Sequence, residues 1–376
     1  MYVVVIIAGT LLIAGYLLVI SLFIRGWRKN TAHFDEQQPS KLWVSVVVAV
    51  RNEENNILTL LQSLWNQQYP NHLYEVIISD DFSSDQTPAL VTGFISDKEN
   101  FHLITPTPQD TRGKKAALDR AIAQSRGSII VTTDADCTMG VNWLYSIVQE
   151  FEQSATKFII APVTIEDSSR CLFSLMQTLE FMSLTGATGG AAGMRNPIMC
   201  NGANMAFAKE ARREVLNHVS GKNHASGDDV FLMHAIKKKY PAQIRFLKNK
   251  EALVYTLPAK TIREFFSQRI RWAGKSAGYS DPFTLVTGAV VAGLNVFIVL
   301  MAVLTLTMHS LAPALLVIVL LKLAIDGILL TQVAVFLSRK KLLLLYPLVA
   351  IMYPFYVCTT LLLSLAKPIK WKQRRM

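Results

Sequence analysis

What limits this chain most is where its charges are missing. From Tyr2 to Ile24 there are 23 residues without one, enough for about 35 Å of helix at about 1.5 Å per residue, which spans a bilayer core. Pro282 to Met308 is again uncharged, and His309, Ser310 and Pro313 mark a turn. A second run then reaches Leu337 with only Lys322 and Asp326 inside it, four apart and able to pair on one helix face. A third uncharged run covers Leu342 to Ala366. Between these ends the chain is mixed polar and apolar. The pattern predicts a transmembrane anchor over 1–24, a juxtamembrane linker over 25–42 and a soluble-type domain over 43–258. An amphipathic interface helix over 259–281, a transmembrane block of two or three spans over 282–366 and a basic tail over 367–376 complete it.

Hydrophobic residues make up 51% of the sequence and charged ones 17%, with a mean hydropathy of +0.30, which excludes intrinsic disorder and an ordinary soluble chain. Four scattered cysteines form no C-x-x-C pair, so neither a disulfide scaffold nor structural zinc is expected. No basic segment precedes the first run and no small-residue cleavage site follows it, so the anchor is read as retained. Arg25, Arg28 and Lys29 place the N-terminus outside and the domain in the cytoplasm. The net charge of +11 includes six basic residues from Lys237 to Lys250. Beside an anchor, lipid headgroups or a solvated face explain them better than nucleic acid. The last uncharged run has basic clusters at both ends and contains Pro347 and Pro354. A bent, re-entrant or interfacial path with a cytoplasmic tail is therefore expected.

Inside the domain, Val44–Val50 is a β-branched run, and Ile57, Leu60, Leu61 and Leu64 then repeat at helical spacing. Strands near Val76–Ile78, His102–Ile104 and Ile129–Val131 alternate with a helix opening at Thr87-Pro88 and another over Lys115–Gln124. Such alternation means a doubly wound, mostly parallel sheet, with ligands outside the carboxyl ends of its strands. Two acidic groups fall at those ends: Asp80, Asp81 and Asp85, and the pair Asp134-Ala135-Asp136. Each aspartate alone could be a turn former. Together, the second pair suits Mg²⁺ or Mn²⁺, which takes one or two carboxylates and fills its shell with phosphate oxygens.

These residues resemble a known family. Ser45 to Glu54, Asp80 to Thr87, Gly113-Lys114-Lys115 and Asp134-Ala135-Asp136 look like family-2 glycosyltransferases, as do Gly202-Ala203-Asn204 and Gly227-Asp228-Asp229. Gln268-Arg269-Ile270-Arg271-Trp272 is similar to the Q-x-x-R-W signature of membrane-bound cellulose, hyaluronan and poly-N-acetylglucosamine synthases. The resemblance implies a type-A, Rossmann-like glycosyltransferase domain. It implies that Asp81 binds uracil, that Asp80 and Asp85 support the nucleoside pocket, and that Lys114 approaches the nucleotide. Asp134 would bind diphosphate, sugar or metal, and Asp136 the metal directly. Asp229 would be the general base, with adjacent Asp228 as runner-up, because an alcohol must lose its proton as it attacks. Gly202 and Asn204 would line the substrate site. Gln268, Arg269 and Arg271 would grip substrate, and Trp272 would lie under the acceptor sugar.

The expected activity is inverting transfer from a UDP-sugar to a saccharide or lipid-linked acceptor at the cytoplasmic face of a bacterial inner membrane. Processive polymer synthesis and single addition to a lipid both stay open, as do accessory export or synthase subunits. A non-catalytic synthase subunit and a nucleotide-sensing transporter are weaker alternatives. Two further expectations concern the middle of the chain. Cys200 reads as a small buried hydrophobe, and Gly186–Gly193 as a flexible connection after an apolar helix over Leu172–Leu184.

Overall fold

The computed structural model describes residues 2–30, 41–166, 171–219, 228–366, 370–371 and 374–375. The chain divides into two compact units, one made of Asn30–Glu166 and Met199–Leu257, the other of Met1–Lys29, Asp167–Ile198 and Pro258–Met376.

In chain order the elements are α1 (Tyr2–Lys29), β1 (Val44–Val50), α2 (Ile57–Trp65), β2 (Tyr74–Asp80), α3 (Thr87–Ile95), β3 (Phe101–Ile104) and α4 (Lys114–Gln124). Then come β4 (Ile129–Asp134), β5 (Cys137–Met139), α5 (Trp143–Gln153), β6 (Phe158–Ile160), β7 (Val163–Ile165), α6 (Leu172–Gly193), β8 (Met205–Ala208) and α7 (Lys209–Val215). The rest are α8 (Asp228–Lys239), β9 (Ile244–Phe246), β10 (Val254–Thr256), α9 (Ile262–Lys275), α10 (Pro282–Leu304), α11 (Ala312–Phe336) and α12 (Tyr346–Ala366).

The first unit is an α/β domain on a seven-stranded sheet of order β3-β2-β1-β4-β8-β6-β9. Only β8 runs against its neighbours; the other adjacent pairs are parallel. Val46, Val47 and Val48 of β1 are fully buried, as a strand covered on both faces requires. Ile57, Leu60, Leu61 and Leu64 of α2 are equally buried, so the helical spacing read from sequence is the face that meets the core. Each such side chain contributes about 1.5–3 kcal/mol by leaving water. Register places the acidic residues: Val50 lies opposite Asp80 on one side of β1, and Ala49 opposite Asp134 on the other. A smaller sheet, β5-β10-β7, adds to this unit.

The second unit is mostly helical, with a short antiparallel pair, β11 (Lys370–Trp371) and β12 (Arg374–Arg375), near its end. Four of its segments are long and apolar enough to cross a membrane: Tyr2–Lys29, Pro282–Leu304, His309–Phe336 and Lys340–Ser364. The final segment, expected to be bent, re-entrant or interfacial, forms one helix. Pro347 sits in the first turn of α12, where its missing N–H costs no bond, and Pro354 is carried inside a helix that continues to Ala366. The pair expected on one face of the run to Leu337 is formed: Lys322 Nζ is 2.7 Å from Asp326 Oδ2, and the Tyr16 hydroxyl donates to Asp326 Oδ1 at 2.8 Å.

The expected flexible glycine connection is also corrected. Residues 186–193 continue α6 without a break. Glycine is a poor helix former, but here it permits close approach. A Cβ on Gly190 would lie 2.5 Å from the Phe23 carbonyl oxygen, and one on Gly26 of α1 would lie 1.9 Å from the Gly190 carbonyl oxygen. Small residues on both helices bring the two backbones together, and that tertiary gain overrides local propensity.

Candidate active site

The site is assembled at the carboxyl ends of β1, β2 and β4. The chain leaving β1 is laced to the chain leaving β2. Asn52 N–H donates to Ser83 Oγ at 3.0 Å, and Asn52 Oδ1 accepts from Ser84 N–H at 2.9 Å. Glu53 N–H donates to Thr87 Oγ1 at 2.8 Å, and Gln86 N–H to Glu54 Oε2 at 3.0 Å. Asn52 and Phe82 both hold positive φ, at 50° and 56°. Strained backbone of this kind persists only where its surroundings enforce it, and it gathers at functional loops.

The three aspartates of the β2 end have different duties. Asp81 is fully buried, accepts the Gly113 N–H at 2.7 Å and lies 3.9 Å from Arg51 Nη1. Arg51 also donates to the Asp81 carbonyl oxygen at 2.6 Å. Asp80 turns its carboxylate onto Ser83 N–H at 3.1 Å. Asp85 accepts from Thr87 N–H at 3.0 Å and Glu54 N–H at 3.2 Å. Thr87 is itself the first residue of α3 rather than its cap. Asp80 and Asp85 therefore hold the loop, while Asp81 ties it to the start of α4.

Lys114 opens α4 and reaches Asp134 Oδ1 at 2.5 Å. Burial works against its charge, but Asp134 outweighs that and Asp229 and Asp136 add to it, so the ammonium is held above its ordinary value. Around Asp136 the balance is reversed. Burial first, then Asp134 and Glu53, pushes its carboxyl up to about 6. Thr256 Oγ1, 3.4 Å from Asp136 Oδ2, is a distant partner. Asp229, at the start of α8, accepts N–H bonds from Gly202 at 3.2 Å and Val230 at 2.9 Å. Lys114 thus stands among Asp134, Asp136 and Asp229, the residues singled out for diphosphate, metal and base. Among the described residues no three His, Cys, Asp or Glu side chains form a metal cage. The side chain of Asp228, the runner-up base, lies outside the described residues.

Asn204, expected to line the substrate site, is committed to the packing around it. It is fully buried, its amide donates to the Pro162 and Ala252 carbonyls at 2.8 Å each, and its Oδ1 accepts from Trp143 Nε1 at 3.0 Å. These bonds brace the sheet. Gly202 keeps a place in the site through its N–H on Asp229 and its carbonyl, which accepts from Thr132 Oγ1 at 2.6 Å. Cys200 is only half-buried. Sequence reasoning gave no role to Glu53 and Arg51. The signal for both was their position in the four residues directly after β1.

The Q-x-x-R-W residues lie on α9 in the helical unit. Arg269, expected to grip substrate, is 2% exposed and forms an ion pair with Glu180. A buried guanidinium so committed does not grip a diphosphate. Gln268 accepts from Arg269, and Trp272 is partly exposed.

Residues 45–216 match the model of Glycosyl transferase family 2. The chain carries a family-2 glycosyltransferase domain. It is 27% identical over 291 residues to the β-monoglucosyldiacylglycerol synthase of Trichormus variabilis, covering 74% of this chain and 59% of the relative. It is 25% identical over 236 residues to the poly-β-1,6-N-acetyl-D-glucosamine synthase of Staphylococcus epidermidis, covering 61% of this chain and 53% of that one. The chain thus spans less than two thirds of the length of these curated relatives. A solved mannosyltransferase from Pyrobaculum calidifontis, in complex with GDP-Man and Mn²⁺, matches with a TM-score of 0.55 at 18% identity, covering 94% of this chain and 99% of that one. At that identity the likeness is one of fold. The family-2 domain has the mostly parallel, Rossmann-like sheet of type-A enzymes, joined to four candidate membrane spans.

Proposed function

We propose that this chain is an inverting hexosyltransferase that moves a sugar from a UDP-sugar to the hydroxyl of a membrane lipid at the cytoplasmic face. The observation that carries this reading is the Lys114 ammonium among Asp134, Asp136 and Asp229 at the carboxyl ends of a parallel sheet. Lys114 offers a point charge to a diphosphate. Asp81 and the loop that Asp80 and Asp85 hold offer a nucleoside pocket beside it. Asp134 and Asp136 fit Mg²⁺ or Mn²⁺: two carboxylates suffice when phosphate oxygens complete the shell, and burial with the neighbouring Asp134 and Glu53 raises the Asp136 carboxyl, a charge balance that a bound cation would relieve. A bound cation would neutralise charge growing on the departing UDP.

Asp229 is the base in this reading. Two backbone N–H groups fix its carboxylate, and from there it takes the acceptor proton as the hydroxyl attacks. Attack opposite the leaving group inverts the anomeric centre. Gln268, Arg271 and Trp272 are assigned to diphosphate and acceptor, with Trp272 as the apolar platform. Arg25, Arg28 and Lys29 after the anchor favour the cytoplasmic side for the domain.

A lipid acceptor is favoured by the glucosyldiacylglycerol synthase, whose similarity reaches across 74% of this chain. Polymer synthesis is the second reading, favoured by the Gln268-x-x-Arg271-Trp272 signature and the polysaccharide synthase relative. Purified chain in nanodiscs containing diacylglycerol, given UDP-glucose, UDP-N-acetylglucosamine or GDP-mannose with Mn²⁺, separates them by product mass. One glycosyl-diacylglycerol species is expected, and a ladder of saccharides would establish the second reading instead. Donor turnover with none of the three would overturn both.

A further inference from the structure

The Q-x-x-R-W helix is held by an element that no motif points to. Three residues on one face of α6, at i, i+3 and i+4, engage α9 and the segment leading into it. Gln177, 2% exposed, clamps the backbone before the helix: its Nε2 donates to the Ala259 carbonyl at 3.1 Å and its Oε1 accepts the Ala259 N–H at 2.9 Å. Glu180 takes Arg269 Nε at 3.0 and 3.1 Å on its two oxygens and pairs with the guanidinium terminus as well. Phe181 meets the Trp272 ring edge-on, with centroids 6.1 Å apart.

The clamp is closed from the other side by α12. The Tyr356 hydroxyl donates to Glu180 Oε1 at 2.7 Å. The Arg269 guanidinium, fixed by these partners, lies 4.5 Å from the Trp272 ring centre and donates to Gln268 Oε1. Arg269 is thus the link through which Glu180 reaches both side chains assigned to substrate.

We infer that Glu180, with Tyr356, is a positioning residue for glycosyl transfer, setting Gln268 and Trp272 through Arg269. A surface ion pair would be worth little here. This one is buried, bidentate and shared with a hydroxyl, so it restricts the guanidinium to one orientation. Its loss would free the Trp272 ring and the Gln268 amide to sample several rotamers. The inference rests on the reading of Trp272 as acceptor platform.

Full chain in diacylglycerol nanodiscs with UDP-glucose and Mn²⁺ tests it. Hydrolysis of the donor to water without diacylglycerol reports the α/β unit alone. Acrylamide quenching, taken as the difference between chains with and without Trp272→Phe, reports the order of that ring. Glu180→Gln should lower kcat/KM for diacylglycerol by about tenfold to a hundredfold, raise the donor KM no more than Gln268→Ala does, leave donor hydrolysis at saturating donor unchanged, and raise quenching of Trp272. Combined with Trp272→Phe it should add little further loss, because both changes remove one function. Since Glu180→Gln strands a buried guanidinium, the volume-matched pair Glu180→Leu/Arg269→Met is the second variant. It should fold and hydrolyse saturating donor normally yet show the same acceptor defect.

Wild-type acceptor kinetics and unchanged quenching in that pair would overturn the inference, as would losses that simply add to those of Trp272→Phe. Increased quenching with unchanged acceptor kinetics would instead overturn the platform reading of Trp272 and leave the positioning of its ring established.

Discussion

Lys114 Nζ lies 2.5 Å from Asp134 Oδ1, so a lysine partly neutralises the carboxylates proposed for a metal. The pair comes from two different elements, the first residue of α4 and the last of β4. When a diphosphate arrives, Lys114 has a second anion to serve. Lys114→Met should therefore act in opposite directions on two ligands. Mn²⁺ alone should bind more tightly, because Asp134 is released, while UDP in the presence of Mn²⁺ should bind about tenfold to a hundredfold more weakly, the value of a charge-assisted bond. Isothermal titration with each ligand checks both signs.

Asp136 gives a pH dependence whose sign is opposite to that of most carboxylates. Burial, Asp134 and Glu53 raise its carboxyl to about 6 in the folded protein. Between the ordinary aspartate value, about 4, and about 6, the folded state binds more protons than the unfolded one. Stability contributed by this group therefore falls as pH rises through that window, and the cost is complete above it. Metal-free Asp136→Asn should melt higher than wild type at pH 7.5, by about 2 °C or more, and the gap should close towards pH 4. Added Mn²⁺ should stabilise the wild type and not the variant. Thermal scans at several pH values read all of this.

Gly26 and Gly190 test the helical unit. A methyl group on Gly26 would lie 1.9 Å from a backbone oxygen, which cannot rotate away. Gly26→Ala should destabilise the chain by about 1–3 kcal/mol or more, as overpacking does. A thermal scan of the detergent-solubilised variant reads this, and Gly93→Ala, where a Cβ meets nothing within 4 Å, is the control.

What was legible in the sequence follows from how local each signal is. β1 and the α2 face could be read because buried parallel strands are β-branched and core helices repeat at 3.6 residues. Asp134 and Asp136 could be read because they end a strand, and a parallel sheet gathers such ends. The burial of Arg269 is not legible locally because its partner Glu180 is 89 residues away, and nothing nearby in sequence distinguishes a buried arginine from an exposed one. The bonding of Asn204 is hidden for the same reason, since its three partners come from three separate segments. The glycines of α6 were misread because propensity describes an isolated helix, whereas their purpose is the approach of α1. Glu53 was passed over because its effect on Asp136 exists only once β1 and β4 pair.

The central claim is that Asp229 takes the acceptor proton in a transfer reaction. The most direct measurement is single-turnover transfer from UDP-glucose to diacylglycerol by Asp229→Asn, alongside its affinity for UDP and Mn²⁺. The account predicts a rate lower by about 10²-fold or more with UDP and Mn²⁺ affinities nearly unchanged. A loss of nucleotide affinity in parallel with the rate, or a rate equal to wild type, would contradict it.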